Sequence, residues 1–280
     1  MILHSALAQR GWYPTRGLAL RDWMAGIALG SRVTWPQITG VIMPHAGYAY
    51  SGKTAMQVMA QLVGRTYSRI IILGPSHFVR LKDQLVIPMG TGLETPLGVA
   101  QWDLAALAQL RMSPGVVQVP SVDEQEHSVQ IEVPFFQAFF PGVPLVPLVV
   151  GELTPKGFDR MATLLDQICE PGTLLVVSSD FTHYGQNFRY IPFEDRVPDR
   201  IQSLDFEVIE ALESGDFDAI STRFSEKQRT ICGEVPIRLM MHVLSGHRGL
   251  CVDYELSGIT TGDFTNCVAY SGMIFGGNHD

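Results

Sequence analysis

The sequence predicts an α/β fold: a single-domain, three-layer sandwich with a central, mostly parallel sheet flanked by helices and a C-terminal antiparallel strand pair. Three observations lead there. Short β-branched runs (Ile38–Met43, Arg69–Leu73, Pro144–Val150 and Thr173–Ser179) alternate with stretches of helical spacing. These runs are predominantly apolar, as strands covered on both faces must be. The last two apolar runs, Leu250–Leu256 and Cys267–Phe275, alternate in period two and read as an antiparallel pair.

Residues 1–17 form an irregular arm containing Gly11-Trp12-Tyr13-Pro14, and Leu18 to Leu29 has helical spacing through Leu18, Trp23 and Ile27. A helix over Ser51–Leu62 follows, with Ser51 as a candidate N-cap and Ala55, Val58, Met59 and Leu62 on one face. Gln84–Pro88 is a short strand, Gly90–Gly98 has hairpin character, and Asp103 caps a helix running to Leu110. In Ser121–Phe140, Ser121 or Asp123 caps a helix that Pro134 kinks or ends. On that helix Glu126, His127 and Gln130 share a face. Helices over Asp159–Ile168, Ile201–Glu213, Asp216–Phe224 and Pro236–Leu244 complete the set. No linker divides the chain, so residues 1–280 read as one domain.

Composition narrows the function. A hydrophobic share of 46% in 280 residues supplies a large core. A net charge of −8 without any Lys/Arg run argues against nucleic-acid or anionic-lipid partners. No stretch approaches the roughly 20 apolar residues needed to cross a bilayer, and the N-terminus lacks a signal-peptide pattern. The expected location is the cytoplasm. Cys169, Cys232, Cys251 and Cys267 form no CxxC pair, which fits reduced thiols. GxGxxG, P-loop, GxSxG and HExxH patterns are all absent, so no nucleotide site is expected.

The chemistry-bearing residues sit where strands end. ITGVIM runs into PHAGYAYSG, SRIIILG into PSHF, and TLLVVSS into DFTHYG. His45, His77, Asp180 and His183 therefore lie at the carboxyl edge of the sheet, where α/β proteins gather ligands. Neutral imidazoles at His45 and His77 suit Zn, Fe, Cu or Ni, with Tyr48, Tyr50 or Asp180 as partners for the second ring nitrogen. Asp180 and His183, three apart in a turn, can act as ligands, as supporting groups or as an acid/base pair. Glu126 and His127 form a second acidic–imidazole pair. Cys232, just before a helix, has the helix dipole to favour its thiolate as a metal ligand or nucleophile. Gly47, Gly52, Gly74 and Gly185 permit tight turns beside these groups. His4, His242, His247 and His279 read as turn or core residues.

Together these stretches resemble the Memo family, called AmmeMemoRadiSam system protein B in many prokaryotes. The resemblance rests on Gly11-Trp12-Tyr13-Pro14, PHAGYAYSG at 44–52, LGPSHF at 73–78, DEQEHSVQIEVPF at 123–135, SSDFTHYG at 178–185, ICGEVPI at 231–237 and GDFTNCVAYSG at 262–272. It implies the fold of class III extradiol dioxygenases, enzymes that open catechol rings with non-haem Fe(II). It also implies one pocket lined by the His of PHAGY, the His of PSH and the Cys of CG: here His45, His77 and Cys232. Eukaryotic members are described as redox-active copper- or iron-binding proteins that act in motility signalling through phosphotyrosine receptors. Phe78 stands where members often carry a second His. A thiolate in place of the dioxygenases' carboxylate favours softer Cu(I), Zn or Fe.

The expectation is a metal-binding redox or oxygenase-like protein holding Fe(II) or Cu, with Zn as the alternative, on His45, His77 and Cys232. His127, Asp180 and His183 would serve catalysis as supporting or proton-transfer groups. Two other readings stand beside it: a non-enzymatic pocket that docks a peptide or small ligand, and a metal-free enzyme with Cys232 as nucleophile. The acidic segment around Glu126 can line either the pocket or a homo-oligomer contact.

Overall fold

A computed structural model describes residues 1–226 and 229–277. Strand β1 (Ile2–His4) precedes helix α1 (Gly17–Ala25), β2 (Gly40–Met43), α2 (Tyr48–Leu62), β3 (Arg69–Pro75) and β4 (Leu85–Val86). The hairpin β5 (Gly92–Thr95) and β6 (Gly98–Gln101) leads to α3 (Leu104–Arg111), β7 (Val116–Val117), α4 (Pro120–Gln125) and α5 (Val133–Phe139). Then come β8 (Leu145–Val150), α6 (Pro155–Ile168), β9 (Thr173–Ser178), β10 (His183–Gly185), α7 (Val197–Ser214) and α8 (Phe217–Glu226). The chain closes with α9 (Glu234–Val243), β11 (Arg248–Leu256), α10 (Ser257–Thr261) and β12 (Asn266–Gly276).

The centre is a nine-stranded sheet in which β2, β9, β3 and β8 lie side by side and parallel. Their side chains are buried almost without exception, which explains the unbroken β-branched runs. Antiparallel strands finish both sides: β12 against β2, with β11 and β10 on β12, and β4 against β8. The expected C-terminal pair is the eight-residue β11–β12 register from Arg248↔Gly276 to Leu256↔Ala269. Among the described residues no helix is long and apolar enough to cross a membrane.

Five local features differ from expectation. Residues 2–4 are not irregular; they pair in parallel with β5 in a separate three-stranded sheet. Helix α1 stops at Ala25, where the Gly26 amide closes the last turn, four residues short of Leu29. Ser51 does not cap α2, which starts three residues earlier after Gly47; the buried Ser51 hydroxyl donates instead to the Ala46 carbonyl at 2.9 Å. Pro134 begins a helix rather than ending one. It sits in the first turn of α5, where its missing N–H costs nothing. Helix α4 ends at Gln125, so Glu126, His127 and Gln130 lie on a turn and share no helical face. Gln130 Nε2 points back to the Asp123 carbonyl at 2.7 Å. The Asp103 cap behaves as expected, its carboxylate accepting from Ala106 N at 2.9 Å.

Candidate metal centre

Three turns meet at the carboxyl edge of the parallel strands. The turn after β2 carries His45, that after β3 carries His77, and the turn between α4 and α5 carries His127. His77 and His127 stack with ring centroids 4.6 Å apart. His45 meets each of them edge-on, at 5.0 Å and 5.2 Å. One ligand-capable nitrogen from each ring lies within 4.8 Å of the other two. They face an open cleft of about 580 Å³ shared with Arg10, Trp12, Tyr50, Asp180 and His183.

Hydrogen bonds decide where the ring protons sit. Glu126 Oε2 accepts the His77 backbone N–H at 2.6 Å, while Oε1 takes Nδ1–H of the same residue at 2.8 Å. That leaves Nε2 of His77 with a lone pair for the cleft. Burial works against the Glu126 carboxylate, but the His77 hydrogen bonds and charge outweigh it and pull the group down to about 2. Ser178 performs the same service for His45. Its hydroxyl donates to the Ser128 carbonyl, so it accepts from His45 Nδ1–H at 2.9 Å, and Nε2 again keeps its lone pair. None of Tyr48, Tyr50 and Asp180 is the ring's partner; Asp180 Oδ1 instead holds the His45 backbone N–H at 2.8 Å. Burial, then the charges of His77 and its neighbours, keep the His45 imidazole well below its ordinary value. Burial followed by His45 and His77 lowers His127 to about 3. Both rings are therefore neutral near pH 7, the form that binds metals.

His127 Nδ1 is buried without a hydrogen-bond partner, and Glu126 Oε1 is 3.5 Å away. Trp12 packs against the ring at 4.7 Å. Cys232 reaches the group through one member only: Sγ lies 3.1 Å from His45 Nε2, and it accepts the Asp180 N–H at 3.2 Å. Burial, then the Asp180 charge, push this thiol up. That direction is opposite to the one expected from the helix dipole, because Cys232 precedes α9 in a desolvated crevice. Asp180 is raised to about 6, by burial first, with His183 opposing. His183 Nδ1 lies 2.9 Å from the carbonyls of both Phe181 and Thr230, so it carries the proton and Nε2 is the accepting nitrogen.

Of the remaining histidines, His4 pairs with Glu94, His242 packs between Phe158 and Phe217, and His247 bonds the Leu244 carbonyl. His279 lies outside the described residues. Several supporting groups escape a reading of the sequence. Ser128, Ser178 and Glu132 are all fully buried and carry the hydrogen bonds behind His45. The Glu132 carboxyl is held well above its usual range by burial, against a Ser178 hydrogen bond. Ser178 and Glu132 leave only a single polar residue inside an apolar run (VVSS, QIEV), and Ser128 only its place after His127. The glycines act differently from one another. A Cβ on Gly74 would lie 2.4 Å from Ser128 Oγ, so its role is close approach. Gly185, at φ +120°, occupies backbone space that L residues rarely enter.

Fold and cleft together define an α/β protein that presents a cluster of imidazoles at the carboxyl edge of its sheet. The chain belongs to the Memo-like protein family, whose model matches residues 8–274. It is 32% identical over 243 residues to a MEMO1 family protein of Aquifex aeolicus, covering 84% of this chain and 85% of that one. It is 29% identical over 267 residues to a MEMO1 family protein of Thermoplasma acidophilum (94% and 95% covered). Protein MEMO1 of Mus musculus is 28% identical over 247 residues (84% and 82% covered). An uncharacterized Escherichia coli K12 protein of known crystal structure aligns over 85% of this chain and 100% of its own with a TM-score of 0.48 and 9% identity, too remote to bear on function.

Proposed function

We propose that the cleft holds one iron or copper ion on the Nε2 atoms of His45 and His77 together with His127, and that the protein is a metal-dependent, oxidoreductase-type catalyst of a small molecule. The observation that carries this reading is the convergence of three imidazoles within 4.8 Å. Two of them have their outward nitrogens fixed by Glu126 and Ser178, and the third has a buried nitrogen without a partner. An unpartnered buried imidazole nitrogen costs about 1–3 kcal/mol, and a coordinated cation removes that cost. When bound, such an ion supplies Lewis-acid and one-electron chemistry.

The chain's own residues have distinct tasks in this account. Glu126 anchors His77 through two hydrogen bonds and brings the compensating negative charge. Asp180 holds the His45 turn through the backbone N–H. Cys232 stands beside His45 with Sγ 3.1 Å from Nε2, and it is a fourth candidate donor once its proton leaves. His183, its Nδ1 committed to backbone carbonyls, offers Nε2 to the cleft as a proton acceptor. Trp12 and Tyr50 give the entrance flat apolar faces, and Arg10 adds a cation.

The test is metal analysis of protein purified without chelator. The account expects close to one equivalent of iron or copper in the wild type and its loss in a His45→Ala/His77→Ala double variant. Equal metal in the two proteins overturns it. A pocket that only docks a ligand is separated by turnover: it would bind with unchanged affinity after metal removal and in Cys232→Ser.

A further inference from the structure

A second cavity, of about 450 Å³, opens at the opposite edge of the sheet, where strands begin rather than end. Thr39 precedes β2, Tyr67 precedes β3, and Thr173 opens β9. Among the described residues two guanidinium groups line this cavity, those of Arg32 and Arg65, and no acidic side chain does. Glu170, the nearest acid in sequence to Thr173, is turned to Arg69.

The cations are held in place. Arg65 donates from Nε to Gln61 O at 2.9 Å, from Nη1 to Pro36 O at 3.1 Å and from Nη2 to Trp35 O at 2.8 Å. Arg32 donates from Nη2 to Val63 O. A guanidinium carries five N–H donors, so both residues keep donors beyond these bonds. Beside them are two hydroxyls with no partner among the described residues, those of Thr39 and Thr173. Thr173 is 8% exposed, so its unsatisfied hydroxyl is a buried one. Buried polar groups are nearly always paired, and an exception calls for an explanation.

From this arrangement we infer a second binding site, for a small oxyanion: phosphate or a phosphate monoester. Fixed guanidinium groups together with hydroxyl donors are the chemistry that recognises such oxygens. The volume falls within the roughly 300–1,000 Å³ of small-molecule sites, so the organic part of a monoester has room. The site lies at the opposite edge of the sheet from the imidazole cleft and is independent of it.

The experiment is isothermal titration of the full chain with inorganic phosphate and, separately, with glycerol 3-phosphate, ionic strength being held constant with chloride. The expected result is saturable binding of at least one of the two anions; the tighter one names the source. Arg32→Gln should weaken it at least tenfold. The exposed Arg32 side chain supports nothing in the core, so this variant should keep the wild-type circular dichroism spectrum. Thr173→Val, which keeps the shape and removes the hydroxyl, should weaken binding severalfold. His45→Ala/His77→Ala should bind as the wild type does. The inference is overturned by absence of saturable binding for both anions, by unchanged affinity in a folded Arg32→Gln, or by loss of binding in the double histidine variant, which would move the anion to the cleft.

Discussion

Glu126 is the side chain on which the proton arrangement of the cluster turns. It accepts from His77 Nδ1–H, so exchanging it for glutamine leaves the shape intact but weakens the anchor. Glu126→Gln should lower metal affinity by about 10- to 100-fold, as loss of a carboxylate behind a ligating histidine does; a competition titration against a chromophoric chelator reads this. Asp205 gives a prediction away from the cleft. It is fully buried and accepts from Thr182 Oγ1 at 2.6 Å and Tyr254 OH at 2.7 Å. Burial raises its carboxyl to about 6, with those hydrogen bonds opposing. A carboxyl raised above its unfolded value stabilises the fold fully below the unfolded pKa, and that contribution is lost as pH climbs through about 6. The stability of the wild type minus that of Asp205→Asn should therefore fall by about 3 kcal/mol between pH 3.5 and pH 7, two pK units' worth. Urea unfolding across that range checks it, and a flat difference contradicts it. At this scale the sequence revealed less than the structure does. His45 and His77 stand out because each follows an apolar strand at once. Glu132 and Ser178 do not, because a lone polar residue in an apolar run looks the same whether it is a buried hydrogen-bonding partner or an exposed strand position.

Elements bring the imidazoles together through close approach. Strand β3 passes so near the His127 turn that Gly74 has room for no side chain against Ser128. Ser128 bonds the Pro75 carbonyl at 2.9 Å and accepts from Ser178, so it joins the turns that carry His77 and His45. Gly74→Ala should cost about 1–3 kcal/mol through overpacking and loosen metal binding as well, measured by chemical unfolding and metal titration on the same variant. Unchanged stability would mean that the turn yields freely. The strands themselves were legible from the sequence because burial on both faces writes them as continuous β-branched runs. The turn at 126–132 was not. The acidic, amphipathic look of Ser121–Phe140 fits one long helix, yet Glu126 gains more by leaving the helix to grip His77. The ends of α1 and α2 differ from their expected positions for a related reason: backbone bonds at a helix end leave no mark on hydrophobic spacing.

For the whole molecule, three loops far apart in sequence must hold one geometry, and a bound ion would tie them together. Binding to the folded state alone stabilises it by about 2.7 kcal/mol at a free metal level of 100 Kd, roughly 5 °C in a chain of this size. Loaded protein should melt higher than chelator-treated protein by that amount, whereas His127→Ala should show no such difference in a calorimetric scan. The architecture was readable in outline from the strand–helix alternation. The parallel strap of β1 onto β5 was not, since a three-residue strand at a chain end has no periodicity to read. The Memo-like family match over residues 8–274 spans the strands and turns that build the cleft.

The most direct measurement is anomalous diffraction at the iron, copper and zinc edges from crystals of protein purified without chelator. The account predicts a single peak at the iron or copper edge, about 2.0–2.1 Å from the coordinating nitrogens of His45, His77 and His127. A peak bound elsewhere, or crystals with no anomalous scatterer within reach of those three rings, would contradict it.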